Sequence, residues 1–161
     1  MADVVIRPMI QADLPRVVDW LVQTPLGQRY LFQADHIRHS LETGLQQTDT
    51  LLVADTDRAG GQACGLIWCL PKGAFGRSAY VRLIAVREDH TGHGIGAALL
   101  QQAEQVLVAS SPDLFLLVSD FNTAAQRFYQ RMGYQQLGAI PGYVLADVTE
   151  LIYWKRLQPS T

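Results

Sequence analysis

Gly92, Gly94 and Gly96 occupy alternate positions in "EDHTGHGIGAALL", and an apolar helical run follows at once. Glycine is costly at a helix start unless the backbone there needs bare amides or a positive φ. A helix N-terminus leaves its first amides unpaired and carries partial positive charge. Stripping side chains from it lets a phosphate reach those amides. The stretch 79–100 therefore reads as a strand, a pyrophosphate cradle and a helix. A P-loop is excluded, because Gly96-Ala97-Ala98 stands where Gly-Lys-Ser/Thr is required. "GHGIGA" fits the loose G-x-G-x-x-A form of a dinucleotide fingerprint. That motif opens a first βαβ unit, however, and only 65 of the 161 residues follow Gly96. On the loop alone, a ligand-free tight turn stays open as the alternative.

Other residues of chemical interest carry weaker patterns. Asn122 heads "NTAAQRFYQRM" and reads as an N-cap. Tyr129, beside Phe128 in the same amphipathic helix, reads as core when taken by itself. Arg127 could reach a phosphate or be a solvated arginine on an exposed face. His36 and His39 lie three apart on a helix, a spacing two metal ligands could use. No third ligand accompanies them, and they are expected to be surface histidines. His90 and His93 read as loop residues. Cys64 and Cys69 fall on opposite faces of a strand, where they cannot bridge or share a metal, and are expected to be small buried residues.

The elements that must position these residues follow from the apolar pattern. "DVVIRPM" predicts a first strand ending near Pro8. Asp13 is expected to cap a helix running to about Gln23, with Leu14, Val17, Val18, Leu21 and Val22 as its buried stripe. "TPLGQRYLFQ" breaks that helix, and a second is predicted over 34–43, stopped by Gly44. "TLLVADT" and "GQACGLIWCL" are strands around the turn-rich "DRAGG", and "PKGAFGRS" is a polar loop before the strand "AYVRLIAV". A helix over about 95–109 buries Ile95, Leu99, Ala103 and Val106. "DLFLLVS" is the next strand, and the helix after it closes at Gly133. "YQQLGA" and "VTELIYWKRL" complete the sheet around a Pro141–Gly142 turn. The order β-α-α-β-β-β-α-β-α-β-β describes a mixed sheet with helices packed on it, in one domain.

With both motifs in view, the chain resembles the GNAT family of N-acetyltransferases. That family's acyl-CoA motif is a strand, then Gln/Arg-x-x-Gly-x-Gly/Ala, then a helix; this chain has "LIAVREDHTGHGIGAALL". The family then has an Asn near a helix start and a Tyr seven residues on, here Asn122 and Tyr129, followed by Gly133–Tyr134. "IRPMIQADLPRVVDWL" is similar to the family's first strand and helix. One position departs from the pattern: Thr91 stands where the family has Gln or Arg. The resemblance implies an α/β fold with a mixed, mostly antiparallel sheet of about seven strands. Its central strands would splay in a V, about four helices would flank it, and a single domain would span residues 1–161.

The resemblance also implies roles. The pantetheine arm of acetyl-CoA, the cosubstrate, would pair with the backbone of Ile84, Ala85 and Val86. Its pyrophosphate would sit on Thr91, Gly92, His93, Gly94, Ile95, Gly96 and Ala97, mostly through amides. An amide near Ile84 or Ala85 would polarise the acetyl carbonyl. Asn122 would hold the pantetheine arm or fix the helix start, and Tyr129 would protonate the departing sulfur. Many relatives carry a Glu on the fourth or fifth strand as base. Here the fourth strand offers Arg82 and the fifth no acid, so the base is unassigned; Glu88, Asp120, His90 and His93 lie near the strand ends.

The expected activity is direct transfer of an acetyl group to a primary amine of a small molecule or peptide, with no metal. The alternative is a non-catalytic acyl-CoA-binding or regulatory module on the same fold. Tyr30, Phe32, Tyr143 and Trp154 are candidates to line an acceptor pocket, Tyr30 and Phe32 equally to anchor a loop. A chain 48% hydrophobic and 17% charged suits a globular protein. The formal charge of −2 gives no reason to expect nucleic acid or membrane partners. The opening "MADVVIRPMI" lacks a leader pattern, so a cytoplasmic location is expected, and a homodimer stays open.

Overall fold

The computed structural model describes residues 4–159. Its seven-stranded sheet has the order β1-β2-β3-β4-β5-β7-β6. The strands are β1 (Val5–Pro8), β2 (Thr50–Asp55), β3 (Ala63–Ala74), β4 (Ser78–Val86), β5 (Asp113–Ser119), β6 (Gln135–Pro141) and β7 (Thr149–Arg156). Five α-helices accompany them among the described residues, against about four expected: α1 (Leu14–Leu21), α2 (Pro25–Arg29), α3 (Ala34–Gln46), α4 (Ile95–Leu107) and α5 (Thr123–Arg131). The chain divides into two compact units, one up to Leu70 plus Leu83–Ala103, the other Pro71–Arg82 plus Glu104 onward.

In the first unit β1 pairs antiparallel with β2, and β2 with β3. The α1 stripe expected from the sequence is buried at Leu14, Val17, Val18 and Leu21, joined by Trp20. With Leu41, Val53, Leu66 and Trp68 these make the core. Gly65 on β3 lets α4 approach: a Cβ there would lie 3.0 Å from Leu99 Cδ1 and 3.1 Å from Ile95 Cγ2. The start of α4 is thus set by contact with β3. Cys64 and Cys69 are free and buried, and burial, then Asp49, pushes the Cys69 thiol up to about 12.

Several expectations are corrected here. Asp13 does not cap α1; its carboxylate turns back to accept from Ile10 N–H at 2.9 Å and binds Arg7. "TPLGQRYLFQ" contains the short helix α2, because Thr24 Oγ1 accepts from Gly27 N–H at 3.0 Å and Pro25 follows it. Helix α3 runs through Gly44 to Gln46. Gly44 is there for clearance, since a Cβ would lie 2.9 Å from Asp49 Oδ2 and 3.3 Å from Trp68. The segment Pro71–Ala74 is strand, and the turn narrows to Phe75, Gly76 and Arg77, with φ of +59° at Phe75 and +65° at Gly76.

In the second unit β4 and β5 pair in parallel over Ala79–Val81 and Leu114–Leu116. That ladder is short for strands of nine and seven residues, as splaying central strands require. β7 pairs antiparallel with both β5 and β6. Alternation along β5 buries Leu114, Leu116 and Val118 on one face, where Tyr153 of β7 joins them. The opposite face keeps Phe115 and Leu117 half-buried. The Pro141–Gly142 turn is a longer loop, begun by Gly142 at φ +63° and closed by Gly142 N–H to Val148 O at 3.0 Å. The α4 stripe ends on Leu107, and Val106 is 48% exposed. The buried row steps by four residues from Leu99 through Ala103, and Val106 falls outside it.

Candidate functional site

In the first unit the Leu83–Val86 part of β4 is half-buried along its length. Leu83 and Ala85 pack against the core, so alternation turns Ile84 and Val86 to the other face. Arg87 N–H then bonds Cys64 O at 2.7 Å, fixing where the strand ends. A single 3-10 turn, Glu88–His90, reverses the chain. Thr91 Oγ1 donates to Glu88 O at 3.0 Å, so its hydroxyl is engaged inside the loop. Arg87 donates to both oxygens of Asp89 at 2.6 and 3.1 Å, and His90 Nδ1 lies 2.8 Å from Asp89 Oδ1. Arg87 first, and then His90, hold the Asp89 carboxyl well below the usual carboxylate range. Asp89 is exposed, so this clasp shapes the loop without adding much stability.

The loop then passes through two left-handed residues, Gly92 at φ +79° and Gly94 at φ +77°. A Cβ at either would meet nothing within 4 Å. Backbone conformation demands glycine at both, and the space before them is open. Thr91, Gly92, His93 and Gly94 are all exposed. Helix α4 begins at Ile95, and Ala98 N–H bonds Gly94 O at 3.1 Å. The amides of Gly94, Ile95, Gly96 and Ala97 therefore have no partner within the helix. Gly96 and Ala97 lie in this first turn, half-buried, above the anchoring side chain of Ile95. Bare amides, a positive helix end and open space suit an anion such as a pyrophosphate.

In the second unit Asn122 is the N-cap of α5, its Oδ1 accepting from Ala125 N–H at 3.1 Å. The turn before it is stapled by Gln126 Nε2, which donates to Ser119 O and Asp120 O at 3.1 and 3.0 Å. Tyr129 follows two turns later, buried at 6% exposure. Its ring meets Phe128, Tyr134 and Tyr153 with centroid separations of 5.1, 5.8 and 6.4 Å. Gly133, at φ +92°, ends the helix and sends Tyr134 back, so that its N–H bonds Tyr129 O at 2.9 Å. Tyr134 OH in turn donates to Glu104 at 2.8 Å, and Lys155 closes the set with its own bond to Glu104 at 2.8 Å. Tyr129 is held on a rigid aromatic wall.

The chain matches the acetyltransferase (GNAT) family over residues 14–134. It belongs to that family. An uncharacterized N-acetyltransferase of Methanocaldococcus jannaschii is 35% identical over 68 residues, 41% of this chain and 44% of that protein. The match thus spans less than half of that relative's length. A GNAT-family structure from Desulfovibrio desulfuricans has a TM-score of 0.79 at 20% identity, covering 97% of this chain and 100% of that one. An aminoglycoside 6'-N-acetyltransferase complexed with coenzyme A has a TM-score of 0.78 at 16% identity, covering 98% and 99%. At such identities the likeness is one of fold.

Among the aromatic acceptor candidates, Phe32 packs on the first unit's core and Tyr143 is 60% exposed. Trp154 Nε1 donates to Asp113 Oδ1 at 2.8 Å. His36 and His39 are exposed on α3, and among the described residues no three His, Cys, Asp or Glu side chains gather as a metal would need. No helix among the described residues is long and apolar enough to cross a membrane. The sequence did not mark Glu150 as buried, yet it is a carboxylate at 6% exposure in β7. The signal was its place in "VTELIYW", an acid within a run of strand formers.

Proposed function

We propose that this GNAT protein is one N-acetyltransferase domain, residues 1–161, that moves the acetyl group of acetyl-CoA directly to a primary amine. The observation that carries the reading is the open, left-handed glycine loop running into the unpartnered first amides of α4. In this reading those amides, from Gly92 to Ala97, hold the pyrophosphate. The backbone of Ile84, Ala85 and Val86 pairs with the pantetheine arm. Thr91 adds little beyond its amide, because its hydroxyl already bonds Glu88 O. Asn122 spends Oδ1 on the helix cap, which leaves Nδ2 for pantetheine. The neutral amine attacks the acetyl carbon, the carbon–sulfur bond breaks, Tyr129 gives its proton to the leaving thiolate, and the proton shed by the nitrogen restores the Tyr129 hydroxyl. The acceptor is a small molecule or peptide, and the protein works where acetyl-CoA is made available, in the cytoplasm.

Calorimetric titration tests this reading: acetyl-CoA is expected to bind, with NADH and ATP as controls that do not. A panel of amines then reads turnover by free-thiol release. Absence of acetyl-CoA binding to folded protein sinks the reading. Gly94→Val is a sharper probe of the cradle. A β-branched side chain resists φ +77° and fills the space before the amides. Acetyl-CoA affinity is expected to fall at least about tenfold, with a change in melting temperature of only a few degrees, since nothing packs on that position. Wild-type affinity in that variant would remove the loop from the site.

A further inference from the structure

Between the end of β4 and the first left-handed glycine lie residues 87–91, and each of them takes part in a bond that ties the run together. Arg87 N–H holds Cys64 O of β3 at 2.7 Å, and His90 N–H returns to Arg87 O at 2.8 Å. Arg87 grips both oxygens of Asp89 through Nε and Nη2, and His90 Nδ1 comes within 2.8 Å of Asp89 Oδ1. Arg87 Nη2 also lies 3.3 Å from His90 Nδ1, so the three side chains close on one another. Thr91 bonds back to Glu88 O through its hydroxyl at 3.0 Å. The residues that follow are built the other way. Gly92 and Gly94 are left-handed and exposed, with exposed His93 between them and open space before both glycines. A clasped half of the loop runs directly into a bare half.

On charge alone the clasp is out of place. Arg87 first, and then His90, hold the Asp89 carboxyl low, so it stays negative through the working range. An exposed carboxylate thus stands three residues before Gly92, in a loop proposed to hold an anion. Conformation favours it there. Glycine has more backbone freedom to lose than any other residue, so a glycine-rich cradle is costly to order around a ligand. Fixing the chain just before the glycines removes part of that cost before the ligand arrives.

We infer that Asp89 is a positioning residue for the phosphate cradle. By holding Arg87 and His90 together it sets the direction in which the chain enters Gly92, and with it the aim of the amides that follow. This rests on the acetyltransferase reading above, in which those amides meet the pyrophosphate of acetyl-CoA. Asp89 acts through its two partners and not on the ligand. The whole device, with Cys64 as its anchor, lies within the first unit.

Charge and positioning give opposite signs when Asp89 is removed. Asp89→Ala, Asp89→Asn and, as a matched charge control, Glu88→Gln are titrated with acetyl-CoA by calorimetry in the full chain. Glu88 is exposed, and it is its carbonyl that bonds Thr91. Asp89→Ala is expected to bind about tenfold more weakly than wild type, as it does when about one loop in ten is correctly aimed. Asp89→Asn keeps an acceptor for Arg87 and should lose less, about threefold. Glu88→Gln should bind at least as tightly as wild type. Melting temperatures should stay within about 2 °C, because an exposed ion pair contributes little to overall stability. Stopped-flow kinetics should place the Asp89→Ala loss in the association rate, since fewer loops are ready, with dissociation changed by less than about twofold.

Unchanged or tighter binding in Asp89→Ala overturns the inference, as does an equal weakening in Glu88→Gln. A loss confined to the dissociation rate would make Asp89 a ligand contact, and one that comes with a large fall in melting temperature would make it a structural residue; either result sinks the positioning role. Failure of the wild type to bind acetyl-CoA would instead sink the parent reading.

Discussion

Tyr129→Phe is expected to lower acetyl transfer by about 100-fold or more while leaving acetyl-CoA affinity within about twofold. The substitution removes one oxygen and keeps the ring. The contacts with Phe128, Tyr134 and Tyr153 are ring contacts, so the wall and the end of α5 should persist. On the proposed reading, what is lost is a proton donor for sulfur. A thiol has a pKa of about 8.5, so its thiolate leaves fairly well unaided, and the donor contributes at the lower end of general-acid effects. Free-thiol release against an amine gives the turnover, and calorimetry gives the affinity. A variant with undiminished turnover would return Tyr129 to the core. Protein that binds acetyl-CoA but transfers nothing, in either form, would favour a non-catalytic acyl-CoA module.

The parts of this molecule legible in its sequence are those where local chemistry and packing agree. Gly92 and Gly94 were marked by type and spacing, and both occupy the left-handed region. Gly133 likewise stands just past a helix end. Gly44 shows the other case. Its pattern marks a stop, but Trp68 and Asp49 crowd the position, and packing carries α3 through it. Nothing in the neighbouring residues could reveal a contact with Trp68, which stands on β3. Asp13 misled for a related reason. An aspartate before a helix is a good cap, yet Arg7, six residues earlier, offers a charge, and the ion pair wins. Helix α2 was hidden by Pro25, which breaks a helix inside but starts one after a capping Thr24. Of the proposed site, the glycine loop and Tyr129 stand out in the sequence because a motif spans each. The burial of Glu150 does not, because its position opposite Ser119 is a fact of strand pairing.

Arg7→Met is expected to destabilise the protein by about 3 kcal/mol at pH 7, the lower end of what breaking a buried ion pair costs. For a chain of this size the melting temperature should fall by roughly 6–12 °C. Arg7 holds two buried carboxylates: Asp13 through bonds of 2.8 Å to each oxygen, and Asp55 through one of 2.7 Å. Asp55 is fully buried and Asp13 nearly so, while Arg7 keeps 23% of its side chain exposed. Burial by itself raises the Asp13 carboxyl. The Arg7 hydrogen bond, the Ile10 amide and the Arg7 charge together outweigh it, so Asp13 sits below its ordinary value. A carboxyl held low in the folded state stabilises above its unfolded pKa, near 3.9, and that contribution is lost as pH falls through the folded value. In Arg7→Met only the Ile10 bond is left to oppose burial, and the charge on Asp13 becomes a cost that protonation relieves. The gap in melting temperature between wild type and variant should therefore narrow as pH drops from 7 to 3. A gap that is equally wide at both ends would mean that Arg7 stabilises through the packing of its aliphatic stem, and the ion-pair account would fail.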